Sequence, residues 1–174
     1  MAKTVVRTDN LAGIVDGSKL VSVRYYVSTT ETAIENGTIV KLDSLIEGTR
    51  GAGSHVWKAV GATAADTADG TNHKLVLVAS PEYLYTSKYA AFDEYENEAG
   101  KDCLGYVLQS GDTFAITADG FVGGTAPTST NKYLKIATNG DVKLTAASSN
   151  TGAMAEFLEA ENEGGYTYYV LRVL

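Results

Sequence analysis

Residues 133–145 read Tyr133-Leu134-Lys135-Ile136-Ala137-Thr138-Asn139-Gly140-Asp141-Val142-Lys143-Leu144-Thr145, two short runs of alternating apolar and polar residues on either side of an Asn-Gly pair. Glycine takes the positive φ that tight hairpin turns require, and Asn-Gly between alternating runs is a strong hairpin signal. The stretch predicts strands over Tyr133–Thr138 and Asp141–Thr145. The same grammar recurs along the chain. Segments rich in Val, Ile, Thr, Leu and Tyr predict strands at Thr4–Arg7, Lys19–Ser28, Gly37–Leu42, His55–Val60, Lys74–Ala79, Leu104–Gln109, Asp112–Ala118, Ala153–Glu159 and Thr167–Val173. Glycine-bearing turns fall between them at Asn36-Gly37, Asp69-Gly70, Ser110-Gly111-Asp112 and Asp119-Gly120. Short strands spaced about every ten residues by turn signals define an all-β class, a β-barrel or β-sandwich of short antiparallel strands.

Alternation assigns faces. Val21, Val23, Tyr25 and Val27 alternate with Ser22, Arg24, Tyr26 and Ser28, so this strand has one buried face. The closing run Thr167–Leu174 is largely apolar on both faces, which predicts a central strand. One segment departs from the pattern: after Ser80-Pro81-Glu82 come good helix formers, with Tyr89, Phe92 and Ala99 near helical spacing and Gly100 as a stop, predicting a short helix around residues 88–99. Loops 47–54, 62–72 and 123–131 are rich in Gly, Ala and Thr and are expected to be exposed. Residues 1–18 are expected as an N-terminal arm or extended segment and 19–174 as a β-rich domain, with 80–100 the place where it would divide into two small β subdomains. Echoes between Asn36-Gly37…Val40-Lys41-Leu42 and Asn139-Gly140…Val142-Lys143-Leu144 read as hairpins looking alike, not as a repeat.

The chain has 174 residues, 44% hydrophobic and 20% charged, with a mean hydropathy of -0.07. That is the composition of a globular domain with a core, which sets aside disordered, collagen-like and membrane-spanning classes. A net charge of -7 repels a phosphate backbone, so nucleic acid is not an expected partner. A single cysteine, Cys103, forms no internal disulfide, and one thiol with two histidines makes no closed zinc site. No basic stretch followed by an apolar run opens the chain, so synthesis in a cytoplasm is expected, and Asn36-Gly37-Thr38 then reads as a turn and not a glycosylation acceptor.

Chemistry-bearing residues are few. His55 and His73 sit outside any nucleophile or metal motif, and no Gly-x-Ser-x-Gly elbow, His-Glu-x-x-His helix or phosphate-cradling glycine loop occurs. Asp66, Asp69 and Asn72 lack the spacing of a calcium loop and read as a solvated loop. Glu156, Glu159, Glu161 and Glu163 run toward Gly164-Gly165 as an exposed acidic face. Cys103 reads as a small buried hydrophobe. No catalytic, cofactor-binding or metal residue is assigned, and no enzyme activity is expected. The anomaly is tyrosine: 11 against 4 phenylalanines and 1 tryptophan, grouped at Tyr83, Tyr85, Tyr89 and Tyr95 and again at Tyr166, Tyr168 and Tyr169. A ring with a polar tip suits an interface, although tyrosine is also simply a good strand residue. A ligand- or carbohydrate-binding β module using Trp57 or the tyrosines as stacking platforms is the alternative reading.

The succession ENGTIVKLDSL (35–45), HVWKAV (55–60), KLVLVASPEYLY (74–85), NEAG (97–100), GYVLQSGDTFAIT (105–117) and YYVLRVL (168–174) resembles the capsid decoration proteins, also called auxiliary or cement proteins, of tailed bacteriophages. The resemblance rests on strand and turn phrases and carries no functional residue across. It implies a β-rich subunit made in the host cytoplasm that joins the outer surface of an icosahedral shell. There it would bridge neighbouring major capsid proteins, often as a homo-oligomer such as a trimer, without an active site, a nucleic-acid partner or a membrane.

Overall fold

Leu75-Val76-Leu77-Val78 is apolar at every position because both of its faces are buried, each against a different set of side chains. The computed structural model describes residues 2–8, 19–46, 55–63, 66, 74–82, 91–137 and 141–174. Their strands in chain order are β1 (Val6–Arg7), β2 (Leu20–Val27), β3 (Thr30–Glu31), β4 (Ile39–Leu45), β5 (Val56–Gly61), β6 (Leu75–Val78), β7 (Cys103–Val107), β8 (Thr113–Ile116), β9 (Tyr133–Ile136), β10 (Leu144–Ala147), β11 (Ala155–Glu163) and β12 (Tyr166–Val173).

β2, β5, β4, β6 and β7 close into a five-stranded barrel, because β7 pairs back onto β2, and β3 adds to β2 outside the ring. A ring with an odd number of strands cannot be antiparallel throughout. The parallel pair is β2–β5, with Val23 beside Trp57 and Tyr25 beside Ala59. Val23, Tyr25, Val40, Leu42, Ala59, Val76, Val78 and Cys103 fill the interior, as the alternation along β2 predicts. Gly105 of β7 leaves room there: a Cβ at this position would run into the Val76 side chain.

The second sheet, in order β1-β8-β12-β11-β9-β10, is antiparallel, and β12 stands inside it, as its two apolar faces predict. Its inner face packs Phe114, Ile116, Leu134, Ile136, Leu144 and Leu171 against Ile39 and Leu77 on the outside of the barrel. This shared seam is the larger core, and Phe121 closes it edge-on against the Tyr169 ring at 5.6 Å.

Four details correct the expectations. The helix around 88–99 is a single 3-10 turn at Phe92–Glu94; residues 88–90 lie outside those described. The chain then runs extended, and Asn97 exchanges backbone hydrogen bonds with Ile34 at 3.0 and 2.9 Å, a pairing that helical backbone cannot make. The two layers part between Val107 and Thr113, not at 80–100, because Ala79 and Asn97 remain bonded to the barrel. Over residues 2–8 the N-terminal segment is the extended one of the two expected alternatives and not an arm: Val6 pairs with Ile116, and Thr4 and Val5 are buried.

The fourth concerns the hairpin at 133–145. A two-residue Asn139-Gly140 loop would place Ile136 opposite Lys143, whereas Ile136 pairs with Leu144 and Ala137 N–H donates to Lys143 O at 3.3 Å. The register that stacks Ile136 on Leu144, both buried, overrides the shorter loop. β10 therefore begins at Leu144 and not at Asp141, while residues 138–140 lie outside those described, as do loop 47–54, most of 62–72 and the Asp69-Gly70 turn.

Candidate functional site

The strand that the sequence ends at Glu159 continues to Glu163, turns through Gly164-Gly165 and returns as β12. Both glycines have positive φ, 59° and 88°, as a two-residue hairpin turn with the right twist requires. A bulge sets the chemistry of this hairpin. Phe157 pairs with Leu171 and Glu159 with Val170, so Leu158 is an extra residue. In simple alternation Glu156 would face away from Glu159, Glu161 and Glu163. The bulge rephases the strand, and all four stand on the face of Arg172, Val170, Tyr168 and Tyr166.

That outer face is an acidic ladder with two cations. Arg172 donates to Glu156 at 2.8 Å. From β1, Arg7 pairs with Glu161 at 2.7 Å and Glu163 at 2.8 Å and lies 5.4 Å over the Tyr168 ring. Glu159 is exposed. The apolar patch Val5, Ala115 and Tyr168 sits beneath, and burial raises the Tyr168 hydroxyl above its ordinary range while Arg7 opposes the shift.

The tyrosines are divided by this arrangement. Tyr168 is 7% exposed, Tyr169 packs in the seam, and Tyr166 donates to Asp93 Oδ1 at 3.4 Å, so the second group mostly serves the fold. Tyr95 is half-buried, and Tyr83, Tyr85 and Tyr89 lie outside the described residues. Trp57 is half-buried against the barrel interior and does not stand as a free platform.

A second constellation joins the layers. Glu35 accepts from Thr4 N–H and Oγ1 at 3.4 and 3.3 Å and pairs with Lys3 at 3.3 Å and Lys143 at 3.4 Å. Burial opposes its charge, but Lys143 and Lys3 outweigh burial and hold the carboxyl below its ordinary range. Beside it Asn36, 1% exposed, donates to Ser80 O at 2.9 Å and accepts from Ser80 N–H and Asn97 Nδ2, both at 3.0 Å. The glycosylation motif is thus a buried turn whose amide is engaged. Gly37 has φ +76° and a Cβ there would lie 2.5 Å from Thr4 Cγ2, which explains the glycine.

The remaining sequence candidates are separate from one another. His55 is exposed at the start of β5, and His73, Asp69 and Asn72 lie outside the described residues. Asp66 accepts from Thr63 N–H and Oγ1 at 2.7 Å and from Lys41 at 3.1 Å. It borders a cleft of about 440 Å³ lined also by Lys74, Gln109, Met154 and Leu174. Cys103 is buried in the barrel, and burial, helped by Asp102, pushes its thiol up to about 12. Among the described residues no three His, Cys, Asp or Glu side chains are placed to hold a metal, and no helix is long and apolar enough to cross a membrane. Sequence reasoning named the four glutamates but missed the bulge that aligns them; Gly164-Gly165 between two strand-forming runs was the available signal of the longer hairpin.

Comparison of the chain with family models, with curated proteins and with solved structures finds no match.

Proposed function

We propose that the chain is a structural virion protein that binds the outer surface of an icosahedral phage capsid and stabilises contacts between major capsid proteins. The observation that carries this reading is the β11–β12 hairpin, whose outer part presents Leu158, Glu159, Ala160, Asn162 and Glu163 exposed on a body braced by two apolar cores. A stiff hairpin on a stiff body engages a partner with little ordering entropy to lose. The chemistry on offer there is charge, backbone hydrogen bonding and one exposed Leu158 side chain, which suits adhesion. The strand and turn phrases that resemble decoration proteins support the same reading.

The mechanism is multivalent. A lattice offers many sites at fixed geometry, so modest affinity per copy suffices, and an interface of about 800 Å² per partner fits one face of such a body. On this reading the protein is made in the host cytoplasm and ends on the outer capsid surface. Mixing it with undecorated shells of the phage that encodes it, then sedimenting and imaging the particles, tests the proposal. Stoichiometric, symmetric density on the outside is the expected result; a protein that stays a free monomer in the supernatant would sink it.

A further inference from the structure

Among the described residues the β11–β12 hairpin has one open backbone edge. β9 lies beside β11 only at Ala155 and Glu156, and Phe157 N–H makes the last bond to that side, to Lys132 O at 2.7 Å. The phase of the ladder identifies the groups left over. Val173 turns both its polar backbone groups away from β11, its N–H donating to Asp112 O at 2.8 Å and its carbonyl accepting from Gly111 N–H at 2.9 Å. Residues of an antiparallel strand alternate in this respect, so Arg172, Val170, Tyr168 and Tyr166 face β11. Their partners Glu159, Glu161 and Glu163 are bonded inward. Ala160 and Asn162 therefore turn N–H and carbonyl outward, and both residues are exposed. The Asn162 side chain does not fold back to cap this edge, since its Oδ1 accepts from Thr167 Oγ1 at 2.8 Å. Leu158, 43% exposed, stands at the mouth of the edge.

Exposed edges invite pairing, and charge decides with whom. A second copy docking antiparallel over Ala160 and Asn162 would set Glu159 against Glu163 and Glu161 against its own counterpart, and like charges directly opposite are unfavourable. Arg7 pairs with Glu161 and Glu163, while Glu159 stands exposed on the same face. We propose that the edge of β11 over 158–163 is a β-augmentation site for an extended basic segment of another protein. Ala160 and Asn162 supply the backbone pairing, and Glu159, Glu161 and Glu163 select Lys or Arg at alternate positions of the incoming strand. The inference goes beyond the virion reading and does not require the partner to be a shell protein.

The test titrates the capped peptide Thr-Lys-Thr-Lys-Val-Lys-Thr, and its counterpart with Glu in place of Lys, into the isotope-labelled full-length chain. The lysine peptide is expected to shift the Ala160 and Asn162 amide resonances saturably and to slow their hydrogen exchange, with affinity falling as salt rises. Ala160→Pro removes one outward N–H without touching the β12 ladder, so binding should fall about tenfold while the far-UV spectrum is kept. Glu159→Lys, at an exposed position, should weaken the lysine peptide several-fold. Equal binding of the glutamate peptide, shifts confined to other strands, or unchanged affinity in Glu159→Lys would overturn the proposal. So would concentration-dependent protection of Ala160 and Asn162 without peptide, which would make a second copy the occupant. Should Ala160→Pro unfold, the exchange data and Glu159→Lys decide alone.

Discussion

Replacing Glu35 by Gln tests whether the junction of N-terminal segment, barrel and second sheet is held electrostatically. Glutamine keeps the shape and one acceptor for Thr4, but it removes the charge facing Lys3 and Lys143, at 3.3 and 3.4 Å. The carboxylate side chain is 20% exposed, between the surface-pair regime of well under 1 kcal/mol and the buried charge-assisted regime of 1.5–3. A loss of about 1–1.5 kcal/mol is expected at neutral pH, or roughly 2–6 °C in Tm for a chain of this length. The pH dependence follows from the sign of the shift. A carboxyl whose folded pKa is lowered contributes stability that is present above its unfolded value of about 4.3 and is lost as pH falls through the folded value. The gap between wild type and Glu35→Gln should thus be full at pH 7 and close on acidification below about 4. Urea or thermal unfolding by circular dichroism across that range measures it. Glu159→Gln is the control, since its carboxylate is exposed and no ion pair holds it among the described residues. A Glu35→Gln loss no larger than the control, or a gap that persists in acid, would refute the reasoning.

Three further outcomes follow from the same geometry. Gly37→Ala combines a left-handed φ of +76° with a Cβ 2.5 Å from Thr4 Cγ2 and should cost about 2–4 kcal/mol in chemical denaturation, whereas Gly111→Ala, at φ +93° with open space around it, should cost only about 1–2. Deleting Leu158 removes the extra residue and leaves Glu159 opposite Val170, so the protein should fold with stability changed by less than about 1 kcal/mol; unfolding on deletion would contradict the bulge. The Cys103 thiol, buried and raised to about 12, should resist a disulfide reagent at pH 8 until denaturant is added, and rapid labelling of the native protein would place it elsewhere.

Strand identity was legible wherever one face is buried. Alternation in Val21–Val27 and the two-sided apolar run at the C-terminus both reflect side chains sorted by burial, which a sequence displays directly. What the sequence hid depends on partners distant in the chain. The segment Phe92–Ala99 has helix-forming residues, but Asn97 finds backbone bonds at Ile34, and those long-range bonds outweigh local propensity. Thr30–Glu31 is too short to show a period, and it exists because β2 offers it an edge. Likewise the docking of residues 2–8 rests on a carboxylate from Glu35 and on Gly37 and Gly120, each holding Thr4 close, none of which leaves a periodic trace.

The acidic face shows how a single inserted residue changes what a surface can recognise. Were Leu158 paired in register opposite Val170, Glu159 and Glu161 would turn to the side of Tyr169 and Thr167, away from the face on which Arg7 meets Glu161 and Glu163. The glutamates share the face of Glu156 and Arg7 because the ladder slips by one, and the slip also leaves Leu158 exposed beside an edge unpaired among the described residues. Composition alone assigns these glutamates to solubility. Register assigns them to one face of one edge, where their charge opposes pairing with an identical strand and favours a basic one.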